Sequence, residues 1–178
     1  MSDEELYEVW WEVWRQVKGW PGYEVSSYGR VRSPRKILKQ GKNQMSGYKQ
    51  VWLMMEKKCG FSVHALVANA FVLNPREDIF DEVDHIDGNH TNNVHTNLRW
   101  VNNVLNQLNR TMARGWMYFQ SDNRKKPYQV QFRHKHVGYF ATAEEAHARY
   151  KQIQAETFAY LYNKLVDQTP SRSHAHDP

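Results

Sequence analysis

Apolar positions recur at helical spacing at the two ends of this chain and alternate in short runs between them. Behind a Ser2–Glu5 pair with the form of a capping box, Leu6, Val9, Trp10, Val13 and Val17 make one stripe, with Glu4, Glu8 and Glu12 mostly off it. This predicts an N-terminal amphipathic helix over residues 1–13. Its tryptophans, Trp10, Trp11 and Trp14, read as packing residues, with an exposed partner-binding face as the alternative. From Trp14 the rhythm shortens. Gly19, Gly22 and Gly29 punctuate brief alternating runs, which predicts small strands joined by turns. The run from Gly47 to Leu53 alternates like a half-buried strand. Ser62 then stands where it could cap a helix with Val63, Leu66, Val67, Ala70 and Phe71 on its apolar face, stopped by Asn74–Pro75.

Further along, a short apolar run ends in Asp84–His85 and is followed by a turn at Gly88 and a polar loop. A second short run and a helix start come next. After Arg110 come three strand-like runs, Trp116 to Gln120, Tyr128 to Arg133 and His136 to Phe140. A polar turn from Ser121 to Pro127 separates the first two, and a basic link at His134 and Lys135 the last two. Thr142 then caps a helix carrying Ala143, Ala146, Tyr150, Ile153 and Phe158. The pattern predicts an α+β protein of small modules, divided at 1–13, 14–60, 61–112, 113–166 and a disordered tail at 167–178. His174 and His176 fall in that tail and carry no expected role.

Composition narrows the class. A mean hydropathy of −0.83 implies small cores and much polar surface. The single cysteine, Cys59, excludes a disulfide framework and any multi-cysteine zinc site. No apolar run is long enough to span a membrane, and the acidic N-terminus does not look like a signal peptide, so a reducing cytoplasm is the expected setting. The net charge of +5 is unevenly spread: +4 over residues 1–60, −3 over 61–110 and +4 over 111–178. Two basic regions flanking an acidic middle suit a protein that attracts a phosphate backbone and gathers carboxylates around a cation, while mildly basic proteins of other kinds share the same balance.

The central chemistry lies in Asp84-His85-Ile86-Asp87-Gly88-Asn89, then Asn97-Leu98-Arg99-Trp100, then Asn106. Order and spacing resemble the HNH nuclease family, in the variant whose last His is Asn, and are most similar to the phage intron-encoded homing endonucleases. The resemblance implies a hairpin followed by a helix, gathered around one divalent metal. His85 would activate water as general base, as a neutral imidazole can near pH 7. Asp84 and Asn106 would hold Mg²⁺ or Mn²⁺, since oxygen ligands suit a hard cation and two protein ligands leave room for water and phosphate. Asn97 would fix the loop that aims and polarises the catalytic His. His64 reads as structural, a histidine beside an apolar face satisfying a local hydrogen bond.

The flanks resemble family modules too. Residues 14–60 look like the modular motif that precedes HNH domains, which implies phosphate contacts from Arg30, Arg32, Arg35, Lys36 and Lys39, with Arg99 and Arg110 added from the nuclease segment. The C-terminal three strands and helix resemble the DNA-binding domain of plant ethylene-response factors, although the middle strand's usual Trp is Tyr128 here. That resemblance makes Gln129, Gln131, Arg133 and Lys135 candidate major-groove readers, not all of which can face bases, since strand residues alternate. The implied function is a metal-dependent endonuclease acting on double-stranded DNA and leaving 3′-hydroxyl and 5′-phosphate ends. One site per chain implies a nick by a monomer, the favoured state, and a double-strand break only where two copies act together. The competing readings are a non-catalytic DNA-binding protein on the same scaffold and a host-directed phage protein.

Overall fold

The computed structural model describes residues 11–109, 115–120 and 125–168. The expected N-terminal helix therefore lies mostly outside the described residues, as do Arg110, most of the polar turn after Gln120 and the tail from 169 onward. Residues 11–13, which the helical stripe was expected to include, are not helical. The reason is local: Ser27 donates its backbone N–H to the Val13 carbonyl, and its hydroxyl accepts from the Val13 N–H, so Val13 runs beside the chain at Ser27 instead of in a helix.

Two compact units divide the chain, residues 1–102 and 103–178. In the first, β1 (Trp14–Gln16), β2 (Glu24–Ser26) and β3 (Val31–Arg32) form an antiparallel meander. A second sheet joins β4 (Gly41–Lys42), β5 (Lys49–Met54) and β6 (Lys58–Ser62), again antiparallel. β6 leads without a loop into α1 (Val63–Phe71). Ser62 holds the N-cap position but its side chain makes no capping hydrogen bond; it is also the last paired residue of β6, opposite Gln50. Strand periodicity does the packing: Val51 and Leu53 alternate inward from β5 and meet Val25, Val31, Val63, Leu66, Val67 and Leu98 in one core. That core unites segments on both sides of the division expected at 60/61, because β6 itself crosses it.

The hairpin of β7 (Glu82–His85) and β8 (Leu98–Val101) completes the unit, pairing Asp84 with Arg99 and His85 with Leu98. A short 3-10 turn, His95–Asn97, precedes β8. Trp100 packs as expected, donating its indole N–H to the Val72 carbonyl at 2.9 Å.

The second unit contains α2 (Asn103–Leu108), the antiparallel sheet of β9 (Trp116–Tyr118), β10 (Tyr128–Phe132) and β11 (Lys135–Phe140) with β10 central, and the long α3 (Ala143–Asp167). Thr142 caps α3 as the sequence predicts, accepting from the Glu145 N–H. Arg133 and His134 turn the hairpin between β10 and β11, both at positive φ, so Lys135 opens the strand rather than belonging to a link. Gly115 has φ +72°, and a Cβ there would meet the Tyr150 ring at 2.0 Å, so only glycine lets β9 approach α3 so closely. Buried Gln154 of α3 donates to the Leu108 carbonyl at the end of α2, whose Leu105 is fully buried. Among the described residues no helix is long and apolar enough to cross a membrane.

Candidate active site

Asp84 and His85 end β7, both almost fully buried. Their side chains find different partners, as neighbours on an extended strand must. Cross-strand pairing sets Arg99 opposite Asp84, and its Nε and Nη2 donate to Asp84 Oδ2 at 2.9 and 2.7 Å. Removing one partner from such a desolvated pair typically costs about 3–5 kcal/mol, because the other charge is left buried. Arg99, expected to touch phosphate, is paired here with the Asp84 carboxylate beside His85.

His85, 2% exposed, places Nε2 2.9 Å from Asn93 Oδ1. An amide oxygen facing Nε2 suits the ring tautomer that carries its proton there. Burial pushes the His85 pKa below its ordinary value, outweighing the opposing hydrogen bond to Asn93. A buried imidazole that is neutral at pH 7 is the form a general base needs.

Asn97 holds the loop between β7 and β8 from within. Its carboxamide donates to Asp87 Oδ1 at 2.9 Å and to the Asn92 carbonyl at 2.9 Å, and accepts from the Asp87 N–H; its backbone carbonyl accepts from Ile86 N–H. Asp87 is tied further by Asn92 Nδ2 and the Asn89 N–H. Burial raises the Asp87 pKa, but these hydrogen bonds together outweigh it and leave a lowered value. Asn97 thus reaches the loop, whereas Asn93 reaches the His85 ring.

Three further rings surround His85. Tyr48, at the start of β5, stacks on His85 at 5.7 Å and on His90 at 4.3 Å, and tilts against His64 at 4.5 Å; His64 meets His85 edge-on at 5.2 Å. His90 Nδ1 lies 2.9 Å from the Ser46 carbonyl, tying the loop to the turn that carries Tyr48. Burial, with the Asp84 and Glu82 carboxylates nearby, raises the Tyr48 pKa. His64 departs from expectation: its Nδ1 is buried without a hydrogen-bond partner, and so is the Asn93 Nδ2. Orphaned buried groups cost about 1–3 kcal/mol each and tend to mark working sites.

Burial, then His85 and His90, hold the His64 pKa down at about 4 against an ordinary 6.5. The folded chain disfavours the protonated ring, so this contribution to stability is whole above pH 6.5 and is lost as pH falls toward 4. The loss should reach up to about 3 kcal/mol. Urea midpoints measured between pH 7 and 4 should show it, and His64→Phe should flatten the acid limb.

The loop also stands on the tight turn between β2 and β3. The His95 N–H donates to the Ser27 carbonyl at 2.8 Å, and Gly29, at φ +80°, abuts Asn93 so closely that an added Cβ would lie 2.7 Å from the Asn93 Cβ.

The expected DNA contacts are differently placed. Arg30 is paired with Glu12 and Arg32 with Glu24, and both guanidinium groups lie over the Trp14 ring, 5.5 and 4.2 Å from its centroid. Arg35, Lys36 and Lys39 are exposed, with no side-chain partner among the described residues. Gln129 and Gln131 share one face of the C-terminal sheet, next to Tyr139 and His136 respectively, and Gln129 Nε2 lies 2.9 Å from His136 Nδ1. Arg133 sits in the turn, while Lys135 pairs with Phe132 instead of with the glutamines. Asn106 lies on α2 in the second unit; Asp84, His85, Asn93, Asn97 and Arg99 lie in the first. No group of three or more His, Cys, Asp or Glu side chains among the described residues could by itself hold a metal ion.

The three-stranded meander, the turn at Gly29, Tyr48 and all but the last residue of β5 fall in a segment with a recognised pattern. Residues 12–53 match the NUMOD4 motif. The chain is also similar to DNA endonuclease I-HmuI of Bacillus phage SP01, 40% identical over 109 residues that cover 57% of this chain and 59% of that protein. HNH endonuclease L245 of Acanthamoeba polyphaga mimivirus is 37% identical over 92 residues, covering 50% of this chain and 27% of that one. A structure of the HNH homing endonuclease I-HmuI, described as binding and cleaving DNA, superposes with a TM-score of 0.50 at 40% identity over 55% of this chain and 56% of that one. The chain thus spans little more than half of I-HmuI. Within it the NUMOD4 segment is built into the candidate site: it supplies Tyr48, the Ser46 carbonyl under His90 and the Gly29 footing of Asn93.

Proposed function

We propose that this chain is a metal-dependent HNH endonuclease of the homing type, which hydrolyses a DNA phosphodiester to 3′-hydroxyl and 5′-phosphate ends. The observation that carries the reading is His85: buried, neutral by virtue of that burial, and hydrogen-bonded through one ring nitrogen to Asn93. In the tautomer protonated at Nε2, Nδ1 is the basic nitrogen and would take a proton from water as its oxygen attacks phosphorus. Asn93 holds the tautomer that makes this possible, and the resulting imidazolium keeps the Asn93 hydrogen bond.

A hard divalent cation fits the donors, which are a carboxylate and a carboxamide oxygen with no thiolate or imidazole among them. Asp84 and, on the resemblance, Asn106 would hold it. When bound, such an ion neutralises charge building on the phosphate and on the leaving 3′ oxygen. Arg99 bears on this role directly, because it anchors the Asp84 carboxylate through Oδ2 and so sets its orientation. Asn97 serves as the loop's organiser rather than as a proton-transfer group.

For the duplex, Arg35, Lys36 and Lys39 are the first candidates for phosphate contact, since Arg30 and Arg32 would have to exchange a carboxylate for a phosphate. On its resemblance to the ethylene-response-factor domain, the C-terminal sheet would read bases through Gln129 and Gln131, with Arg133 and Lys135 at its tip. Acting as a monomer with one site, the protein would nick.

The test is incubation of a pool of supercoiled plasmids carrying randomised inserts with Mg²⁺, Mn²⁺ or EDTA. Metal-dependent open circles are the expected product. Linear product would mean paired action, and salt-sensitive binding with no cleavage in either metal would favour a non-catalytic DNA-binding protein.

A further inference from the structure

We infer that Tyr48, from the NUMOD4 segment, is a positioning residue for the His85 ring: its aromatic face fixes the angle at which the general base meets its water. The inference rests on the reading of His85 as that base.

A hydrogen bond at one edge of a histidine ring leaves its tilt to be set by what packs against its faces. In His85 the bond from Nε2 to Asn93 holds one edge, and the rings of Tyr48, His64 and His90 pack around it. Tyr48 lies nearly parallel to it, 21° between planes at 5.7 Å, and His64 closes the other direction edge-on at 67°. Of the two, Tyr48 is the better anchored. Its own turn is closed by backbone bonds from Asn43 N–H to the Tyr48 carbonyl and from Gly47 N–H to the Asn43 carbonyl, and by the Asn43 carboxamide, which accepts from the Met45 and Ser46 N–H groups. His90 then stacks on the same tyrosine at 4.3 Å while its Nδ1 is tied to Ser46, so the ring is pinned through its partner as well. By contrast the Tyr48 hydroxyl makes no hydrogen bond among the described residues. The contacts run through the ring, which is where a positioning role would act.

Reacting groups misplaced by about 1 Å can lose roughly a hundredfold in rate. Tyr48→Leu keeps apolar bulk at this half-buried position but removes the flat face, so single-turnover cleavage should slow by about ten- to a hundredfold. DNA affinity measured in EDTA should hold, and Tyr48→Phe should cleave within about threefold of the parent. A readout independent of cleavage is ¹⁵N NMR of the labelled histidines: the two ring-nitrogen shifts of His85 should move in Tyr48→Leu and stay in Tyr48→Phe.

Three outcomes would overturn the inference. Unchanged cleavage and unmoved shifts in Tyr48→Leu would remove it. Tyr48→Phe as slow as Tyr48→Leu would put the hydroxyl, not the ring, to work. Affinity lost in step with rate would make Tyr48 a general support of the fold. His85→Ala run alongside keeps the two claims apart: if that variant still cleaves, the base assignment fails, while the His85 shifts in the otherwise intact chain still report whether Tyr48 holds the ring.

Discussion

His85→Ala should abolish measurable strand cleavage, a fall of at least about a hundredfold and up to about ten-thousandfold, the range general-base catalysis contributes. DNA affinity in EDTA should change little, because the ring is 2% exposed and its hydrogen bond runs inward to Asn93 rather than outward to a ligand. The variant also opens a cavity lined by Tyr48 and His64 and leaves the Asn93 carboxamide without its partner, so some stability will go with the ring. A melting curve and a binding isotherm therefore belong beside the cleavage assay. Lost cleavage in a folded, binding protein supports the assignment. Equal loss of binding and cleavage would assign His85 to the scaffold instead.

The second large effect is expected far from the Asp–His pair in sequence. Gly29→Ala should lower stability by about 2–4 kcal/mol and slow cleavage as well. Two costs add: a residue with a Cβ at φ +80° is strained by about 1 kcal/mol or more, and forcing volume into a filled space costs about 1–3 kcal/mol. The new methyl would stand 2.7 Å from the Asn93 Cβ and 3.0 Å from the Asn93 carbonyl oxygen, and the latter is backbone that cannot simply rotate away. Asn93 must move, and with it the oxygen that faces His85 Nε2. Gly19→Ala is the control, since Gly19 also has positive φ but nothing within 4 Å of a Cβ. If both variants cleave alike at matched stability, the turn does not act on the site through Asn93.

Much of this was legible because local rules suffice for it. Alternation in Lys49–Met54, the Thr142 cap and the three C-terminal strands follow from period-two patterning and capping chemistry, which tertiary context did not override. The Asp84–His85 hairpin was legible for the same reason, two short runs around a glycine turn. What stayed hidden depends on contacts distant in sequence. Asn89, Asn92, Asn93 and Asn97 are chemically identical in the polar loop, and only the folded path shows that Asn93 meets the imidazole while Asn97 braces Asp87. Tyr48 and His64 read as strand and helix residues because nothing in their neighbourhood announces a histidine some twenty or more positions away. Arg30 and Arg32 looked like free cations until Glu12 and Glu24 were seen beside them. The N-terminal stripe misled at its end, since Val13 gains more from Ser27 than helical spacing can offer.

The bond from Gln154 to the Leu108 carbonyl has a consequence for anyone who would retarget this protein. Sequence patterning suggests a reader that can be exchanged at 112/113, but α2 and the long C-terminal helix share buried Leu105 and Gln154 on one side of a boundary at 102/103. A chimera spliced at the later point would give Asn106 a helix whose supporting surface had been replaced by a stranger's. If the C-terminal sheet reads DNA as proposed, its specificity would be transferable only as a package that carries the helix of Asn106 with it.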